Sequence, residues 1–590
     1  MAALALIPVL ALIVFRPYLF PSEERPVEQP AEERKMLAVL PFENLGSPED
    51  EYFADGLTEE ITSRLAAAHG LGVISRTSAV QYKGTAKNIK QIGDELGVDF
   101  VLEGTVRWDR GRGAESRVRI TQQLIKVSDD THLWAETYEQ VIDDIFAVQT
   151  DIAEQVFKKL DVTLLEPERR ALEAQPASNF EAYEAYIIGL YYLSRAHESK
   201  EDALLAAQMF ERAVELDSTF AMAYTQLSLT YSLSYHSGHD RTEECLSRAK
   251  AAADRALELA PELPDAHLAL GYYYYRGYRE YDLALEALVV AQESLPNDAG
   301  MLEATGYIQR RQGSFEAALV NLLMSFELSP RSAHLARAVA STLFFMRRYE
   351  EADRYLDTSI SLNPGQTFGY LARAANYWYW KGDTEMARAV LAKMPQRTAP
   401  IAIQSQFLQE ILERDYTAAL YRLSSTSIEI FEVGDEYIPK SLYEGLAYQL
   451  MGRPDRARAS YDDARVVLEN VLEELPDDAR VHSPLGIAYA GLGRKEEAIR
   501  EGKLAVELYP ISEDAIGGPP RVMDLASVYI MVGELDAAMD QIEYLVSIPN
   551  GTLSVPYLRL DPQFDSLRSH PRFQRLLDEY SAAGEKKAKE

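Results

Sequence analysis

The sequence predicts a small α/β (α+β) domain followed by an all-α superhelical solenoid, with one amino-terminal transmembrane helix ahead of both. Three observations lead there. Fourteen uninterrupted apolar residues run from Ala2 to Phe15, "DFVLEGTVRW" alternates apolar and polar residues, and small residues recur every 34 positions beyond residue 180. At 590 residues the chain exceeds what one hydrophobic core organises, so several domains or a repeat array are expected.

The apolar start, "MAALALIPVLALIVFRPYLFP", approaches the roughly 20 residues that cross a bilayer, with Tyr18 and Phe20 at an interface. It has neither the basic start nor the small-residue cleavage site of a secretory signal, so residues 1–20 read as a retained anchor. Residues 21–35, "PSEERPVEQPAEERK", form an acidic, proline-bearing linker. Arg16, Arg25, Arg34 and Lys35 all follow the span, which by the charge rule keeps the body in the cytoplasm.

Residues 36–165 read as a compact α/β domain. "MLAVLPFENL" is a buried strand ending at Pro41, and "FADGLTEEITSRLAAA" a helix with Thr58 near its start and Ile61 and Leu65 on one face. "LGVISRTSAV" is a second apolar run, and "NIKQIGDELG" a short helix stopped by Gly97. In "DFVLEGTVRW", Phe100, Leu102, Val106 and Trp108 face one way, and Glu103, Thr105 and Arg107 the other. Turns at "RGRGAES" and "SDD" predict two antiparallel hairpins through "RVRITQQLIKV" and "THLWAETYEQ". A closing helix carries Ile145, Val148, Ile152 and Val156 at helical spacing.

Three blocks, "AVLPFENLGSPEDEYFADGLTEEI", "LGVDFVLEGTVR" and "HLWAETYEQVIDDIFAVQ", resemble in that order the domain related to the amino-terminal part of TolB and to FlgO. The resemblance covers about 130 residues. It implies a bacterial protein of the kind that places this domain between a membrane span and tetratricopeptide repeats. Such proteins often stand behind an adenylate cyclase, a serine/threonine kinase or a winged-helix regulator. It implies an inner-membrane protein with a periplasmic body, the opposite of the charge rule, and is preferred here because a long translocated domain is little restrained by four basic residues. It supplies no catalytic residue.

After a linker at 166–182, residues 183–550 are helix-rich and self-similar. Gly306, Ala340 and Ala374 are spaced by 34, as are Ala318 and Ala352, and Pro330 and Pro364. Small residues also pair twelve positions apart: Gly306/Ala318, Ala340/Ala352, Gly445/Ala457, Gly486/Ala498 and Ala526/Ala538. Two helices of a hairpin approach closely only where both lack bulk at their crossing, and twelve residues span one helix end, a turn and the next helix start. Proline then stops the second helix in "FELSPRS", "ISLNPGQ" and "VELYPIS". This period resembles the tetratricopeptide repeat (TPR). Units run through Gly189, Ser228, Gly271, Gly306, Ala340, Ala374, Gly445, Gly486 and Ala526, about nine in all, with a degenerate one around "QFLQEILERDYTAALYRL". The first two carry extra residues between their helices. Residues 551–590 close the array, since a solenoid needs its last apolar face covered.

The tyrosine-dense "GYYYYRGYREY" falls inside this array. Tyr274 takes a core position, three after Gly271, matched by Tyr377, Tyr448, Tyr489 and Tyr529. Tyr272, Tyr275, Tyr307, Phe344, Phe345, Trp378 and Tyr379, with Arg310, fall where first helices line the concave face in this repeat family. They are the candidate peptide-binding residues. The competing reading is that these large side chains fill space between repeats.

Formal charge is −32, which repels phosphate backbones and excludes nucleic acid as a natural partner. One cysteine, Cys245, leaves no intrachain disulfide and reads as a small packed residue. His236, His239 and Asp240 in "SYHSGHD" stand close together but fall in a polar inter-helical insertion, so no metal is assigned. No phosphate loop, kinase loop or Ser-His-Asp context appears, and no cofactor or small-molecule substrate is expected. The expectation is a non-enzymatic, membrane-tethered scaffold that binds a protein or peptide. The alternative is the sensory portion of a signalling protein whose effector lies upstream or in a partner.

Overall fold

The computed structural model describes residues 34–109, 117–141, 145–173, 177, 180–193, 199–295, 297–433 and 436–587. The amino-terminal apolar stretch, almost all of the 21–35 spacer and the "RGRGAES" turn lie outside these residues. No helix among them is long and apolar enough to cross a membrane.

β1 (Lys35–Val39), β2 (Glu43–Asn44), β3 (Leu71–Val73), β4 (Phe100–Asp109), β5 (Arg117–Lys126) and β6 (Thr131–Val141) form one sheet in the order β3-β1-β4-β5-β6, with β2 also paired to β4. Strands β1, β2 and β3 pair in parallel fashion, and β4-β5-β6 is an antiparallel meander, with Leu102 opposite Leu124 and Leu124 opposite Trp134. The alternation of β4 puts Leu102, Val106 and Trp108 into the main core, under Ile61 and Leu65 of helix Glu51–Ala66 and Ile145, Val148, Ile152 and Val156 of helix Ile145–Lys159. Val101 points the other way, to Ile92 and Leu96 of helix Ile89–Leu96. That helix starts at an Asn88/Gln91 capping box and stops at Gly97, whose φ of 68° lies in the left-handed region glycine adopts freely. Each such buried aliphatic side chain contributes roughly 1.5–3 kcal/mol.

Two expectations for this domain change. Thr58 is not near a helix start: the helix begins at Glu51, and Thr58 Oγ1 sits inside it, accepting from Phe42 N at 3.0 Å and donating to Ala54 O at 2.8 Å. The stretch read as a linker is helical over Glu166–Glu173, and its Leu172 carbonyl accepts from Arg64 at 2.6 Å. The domain also packs directly on the solenoid. A Cβ on Gly56 would stand 2.3 Å from Ile187, so only glycine admits the first repeat helix here.

Ten antiparallel helical hairpins follow among the described residues, from Phe180–Leu193 with Lys200–Leu216 to Gly518–Met531 with Leu535–Ser547. The degenerate stretch forms a hairpin of its own, Pro400–Leu412 with Tyr416–Ser424. The twelve-residue rule is steric: a Cβ on Gly306 would meet Leu322 Cγ at 2.7 Å and Ala318 O at 3.1 Å, and one on Gly486 would meet Ala498 O at 3.1 Å. A short antiparallel ribbon, Ile430–Val433 with Glu436–Pro439, interrupts the array and buries Phe431 completely. No pattern in the sequence announces it.

The tyrosine-dense helix departs from the period. Pro264–Tyr273 continues as a π-turn over Tyr274–Tyr278, and the small residue facing Gly271 is Ala284, thirteen positions on. Tyr377, Tyr489 and Tyr529 are buried as expected, while Tyr274 and Tyr448 are only half-buried.

The α/β domain also grips the solenoid further on, at the loops that join successive hairpins. Asn297 Nδ2 reaches the carbonyls of Ala68, His69 and Leu71 at 3.1–3.3 Å. Ser75 N donates to Leu328 O at 2.8 Å, and Arg331 N to Ser78 Oγ at 3.1 Å.

Candidate functional site

The candidate residues do lie along first helices of successive hairpins, but the structure divides them into two halves. In the first half, Tyr272, Tyr275, Tyr307 and Arg310 are all half-buried. The Arg276 guanidinium stacks 4.0 Å from the Tyr272 ring, and Arg310 lies 5.0 Å from that of Tyr307. Tyr307 Oη and Glu303 Oε1 both contact His334 Nε2, at 2.7 and 2.9 Å. Despite burial, those contacts hold the Glu303 carboxyl below the usual carboxylate range. Nearby, burial pushes Asp265 up to about 7, helped by Asp298 and Glu60, and burial likewise raises Asp298 and Glu59. This half therefore combines aromatic side chains with an acidic patch, with helix Glu51–Ala66 of the α/β domain supplying Glu59 and Glu60.

The second half is filled by the chain itself. After the last hairpin, Asn550 turns the backbone by accepting from Thr552 N and Leu553 N at 2.9 Å each, and the following residues run back over the earlier repeats. Gly551 lies so close to Phe344 and Phe345 that a Cβ would be 2.2 Å from the Phe345 ring. Tyr379 stacks on Tyr557, with centroids 4.4 Å apart and planes 12° from parallel, and its hydroxyl donates to Thr552 O at 3.1 Å. Ser554 Oγ donates to Tyr379 O at 2.7 Å. Trp378 does not line an open groove: it is 3% exposed, and its indole N–H donates to Gln409 Oε1 at 2.8 Å. For Trp378 the space-filling reading holds, and Phe344, Phe345 and Tyr379 are occupied.

A second stretch of the returning chain enters between the two halves. Asp514, 3% exposed, accepts from Tyr281 Oη, Arg311 Nη1, Tyr509 Oη, Ile516 N and Gly517 N. Arg311, opposing the effect of burial, keeps its carboxyl below the usual range. A cleft of about 620 Å³ opens beside it, lined by Tyr278–Asp282, Gln312 and residues 508–510 and 512–514. Sequence reading missed Asp514 because Tyr281 and Arg311 lie some 200 or more residues away.

Elsewhere, Cys245 is buried, its thiol donating to Tyr231 O at 3.4 Å and pushed up to about 11 by burial. Asp240 accepts from the Thr242 amide and hydroxyl, and no group of three His, Cys, Asp or Glu among the described residues is set to hold a metal.

Comparison with known proteins bears on both parts of the chain. Residues 33–155 match the profile of the HilA/YgeH-like transcriptional regulator, second domain, and residues 444–512 that of the tetratricopeptide repeat. A protein named Putative adenylate cyclase 3, of Rhizobium meliloti (strain 1021), is 34% identical over 251 residues, 42% of this chain and 41% of its own length. The chain thus spans about two-fifths of that relative. Among solved structures, a thermophilic TPR protein of Thermus thermophilus aligns over 33% of this chain and 98% of its own, at 17% identity and TM-score 0.29. PilF of Pseudomonas aeruginosa aligns over 42% and 92%, at 20% identity and TM-score 0.26. Human IFIT1 aligns over 62% and 78%, at 14% identity and TM-score 0.34. The chain carries tetratricopeptide repeats behind an α/β domain similar to the second domain of HilA/YgeH-like regulators.

Proposed function

We propose that this protein is a non-enzymatic interaction scaffold that binds a protein or peptide on the first half of its concave face, between Tyr272 and Arg310. The observation that carries this is the row of half-buried Tyr272, Tyr275, Tyr307 and Arg310 ahead of the point where the chain fills its own groove. Rigid aromatic side chains supply contact area at low entropic cost, and the acidic patch favours a segment with basic or polar residues. Membrane tethering through residues 1–20, with a periplasmic body behind a TolB/FlgO-like domain, completes the reading. It is motivated by the apolar run and by the three sequence blocks. A crosslinking pull-down with the full chain, wild type against Tyr272→Ala plus Tyr307→Ala, tests the groove. Capture of the same proteins by both sinks it. A reporter fused after residue 587 that is active only in the periplasm tests the orientation.

A second reading is that the chain is the sensory or regulatory portion of a signalling protein. The relative named an adenylate cyclase and the regulator-type profile over residues 33–155 favour it. Reading the genomic DNA upstream of Met1 separates the two: an in-frame cyclase, kinase or winged-helix domain supports the sensor, and a nearby stop codon counts against it.

A further inference from the structure

The turn between the two helices of a hairpin commonly contains one residue in the left-handed region. From the third hairpin onward these are Arg279, Gly313, Arg347, Gly382, Arg414, Gly452, Gly493 and Gly533, with φ between 58° and 82°. Glycine adopts this conformation freely and arginine does not, because its Cβ crowds the following carbonyl. Three arginines in a glycine position therefore need a reason.

The returning chain supplies it. The five turns from 279 to 414 meet that chain in order. The Arg279 guanidinium lies 4.4 Å over the Tyr509 ring. Gly313 faces Ala515, at 3.4 Å from a built Cβ, and Ala515 N donates to Arg311 O. Arg347 donates to the carbonyls of Val546, Leu545 and Ile548 at 2.7, 3.1 and 3.0 Å. Gly382 faces Pro556 O, at 3.3 Å, and Arg414 forms a two-pronged pair with Asp565 at 2.6 and 2.9 Å. The turns at Gly452, Gly493 and Gly533 have nothing within 4 Å of a built Cβ. Where the two sides of the seam touch, the turn holds glycine. Where they stand apart, it holds arginine, which spans the gap. Arg347 also satisfies carbonyls at the carboxyl end of helix Leu535–Ser547, where a cation is favoured.

We propose that Arg279, Arg347 and Arg414 form a clasp that closes the solenoid on its own carboxy-terminal segment, so that Gly551–Tyr557 acts as an intramolecular ligand of the concave face at Phe344, Phe345 and Tyr379. The clasp stands apart from partner binding at Tyr272–Arg310, and its test needs no partner. The design strains the backbone at three turns in order to hold the seam, and glycine at those positions relaxes the turn while removing the reach.

The test uses the full chain with Arg347→Gly plus Arg414→Gly. Hydrogen exchange should show protection over residues 545–560 falling at least about tenfold, with the hairpins before residue 264 unchanged. A fluorescent synthetic peptide of residues 547–561 should bind this variant at least about tenfold more tightly than wild type, because the groove is then vacant. Unchanged protection over 545–560 overturns the clasp, and lost protection without peptide binding overturns the intramolecular ligand. Should the double variant fail to fold, Arg414→Asp alone must lower protection over 555–567 and Arg414→Asp with Asp565→Arg must restore it. No rescue overturns the assignment of Arg414.

Discussion

The two halves of the concave face are built from the same repeat position and do different work. Tyr275, Arg310, Phe344 and Trp378 each stand four residues after the small crossing residue of their first helix. Tyr275, Arg310 and Phe344 are all half-buried, but Phe344 packs against Gly551 while Tyr275 and Arg310 lie by an acidic patch, and Trp378 is sealed. Position in a repeat decides which way a side chain points. Whether it becomes groove or core is decided by what the rest of the chain lays over it.

The largest expected effect breaks the sealed half. Trp378→Ala removes a buried indole and takes the donor from Gln409 Oε1, and should lower the opening free energy around residues 367–412 by about 3–5 kcal/mol. Hydrogen exchange on the full chain measures it region by region. Next, Gly551→Val drives a side chain into the Phe345 ring and should loosen residues 550–557 by about 1–3 kcal/mol without touching Tyr272 or Tyr307.

The acidic patch should show itself as a pH dependence of the open half. Asp265 titrates near 7 in the fold against 3.8 for a free aspartate, so the folded state holds a proton that the unfolded chain releases. Its contribution is greatest below about pH 4 and is lost as pH rises toward 7. Asp298 and Glu59, also raised, act in the same direction, while the lowered Glu303 opposes them. Asp265→Asn should flatten the fall in stability between pH 4 and 7 around residues 264–311; an unchanged slope would mean that its neighbours carry the effect. The smallest effect sharpens the contrast: Tyr272→Ala, at a half-buried site, should cost under about 1.5 kcal/mol in the same measurement.

Much of this was legible before any coordinates. The alternation in β4 and the Gly306/Ala318 pair report local sterics, and local sterics are written in local sequence. The filled half of the groove was not legible, because Gly551 and Phe345 are brought together by the curvature summed over several hairpins. One signal was present and unused: arginine at 279, 347 and 414 in turns whose neighbours hold glycine.

Stacked repeats ordinarily behave as a one-dimensional chain of neighbours, where an end unit can be cut away and the others hardly notice. Bonds from Arg347 to Val546, some two hundred positions apart, turn that line into a loop. The residues beyond 540 then complete the architecture begun by the third hairpin. Shortening the gene by one terminal unit should weaken the middle of the molecule as much as its end.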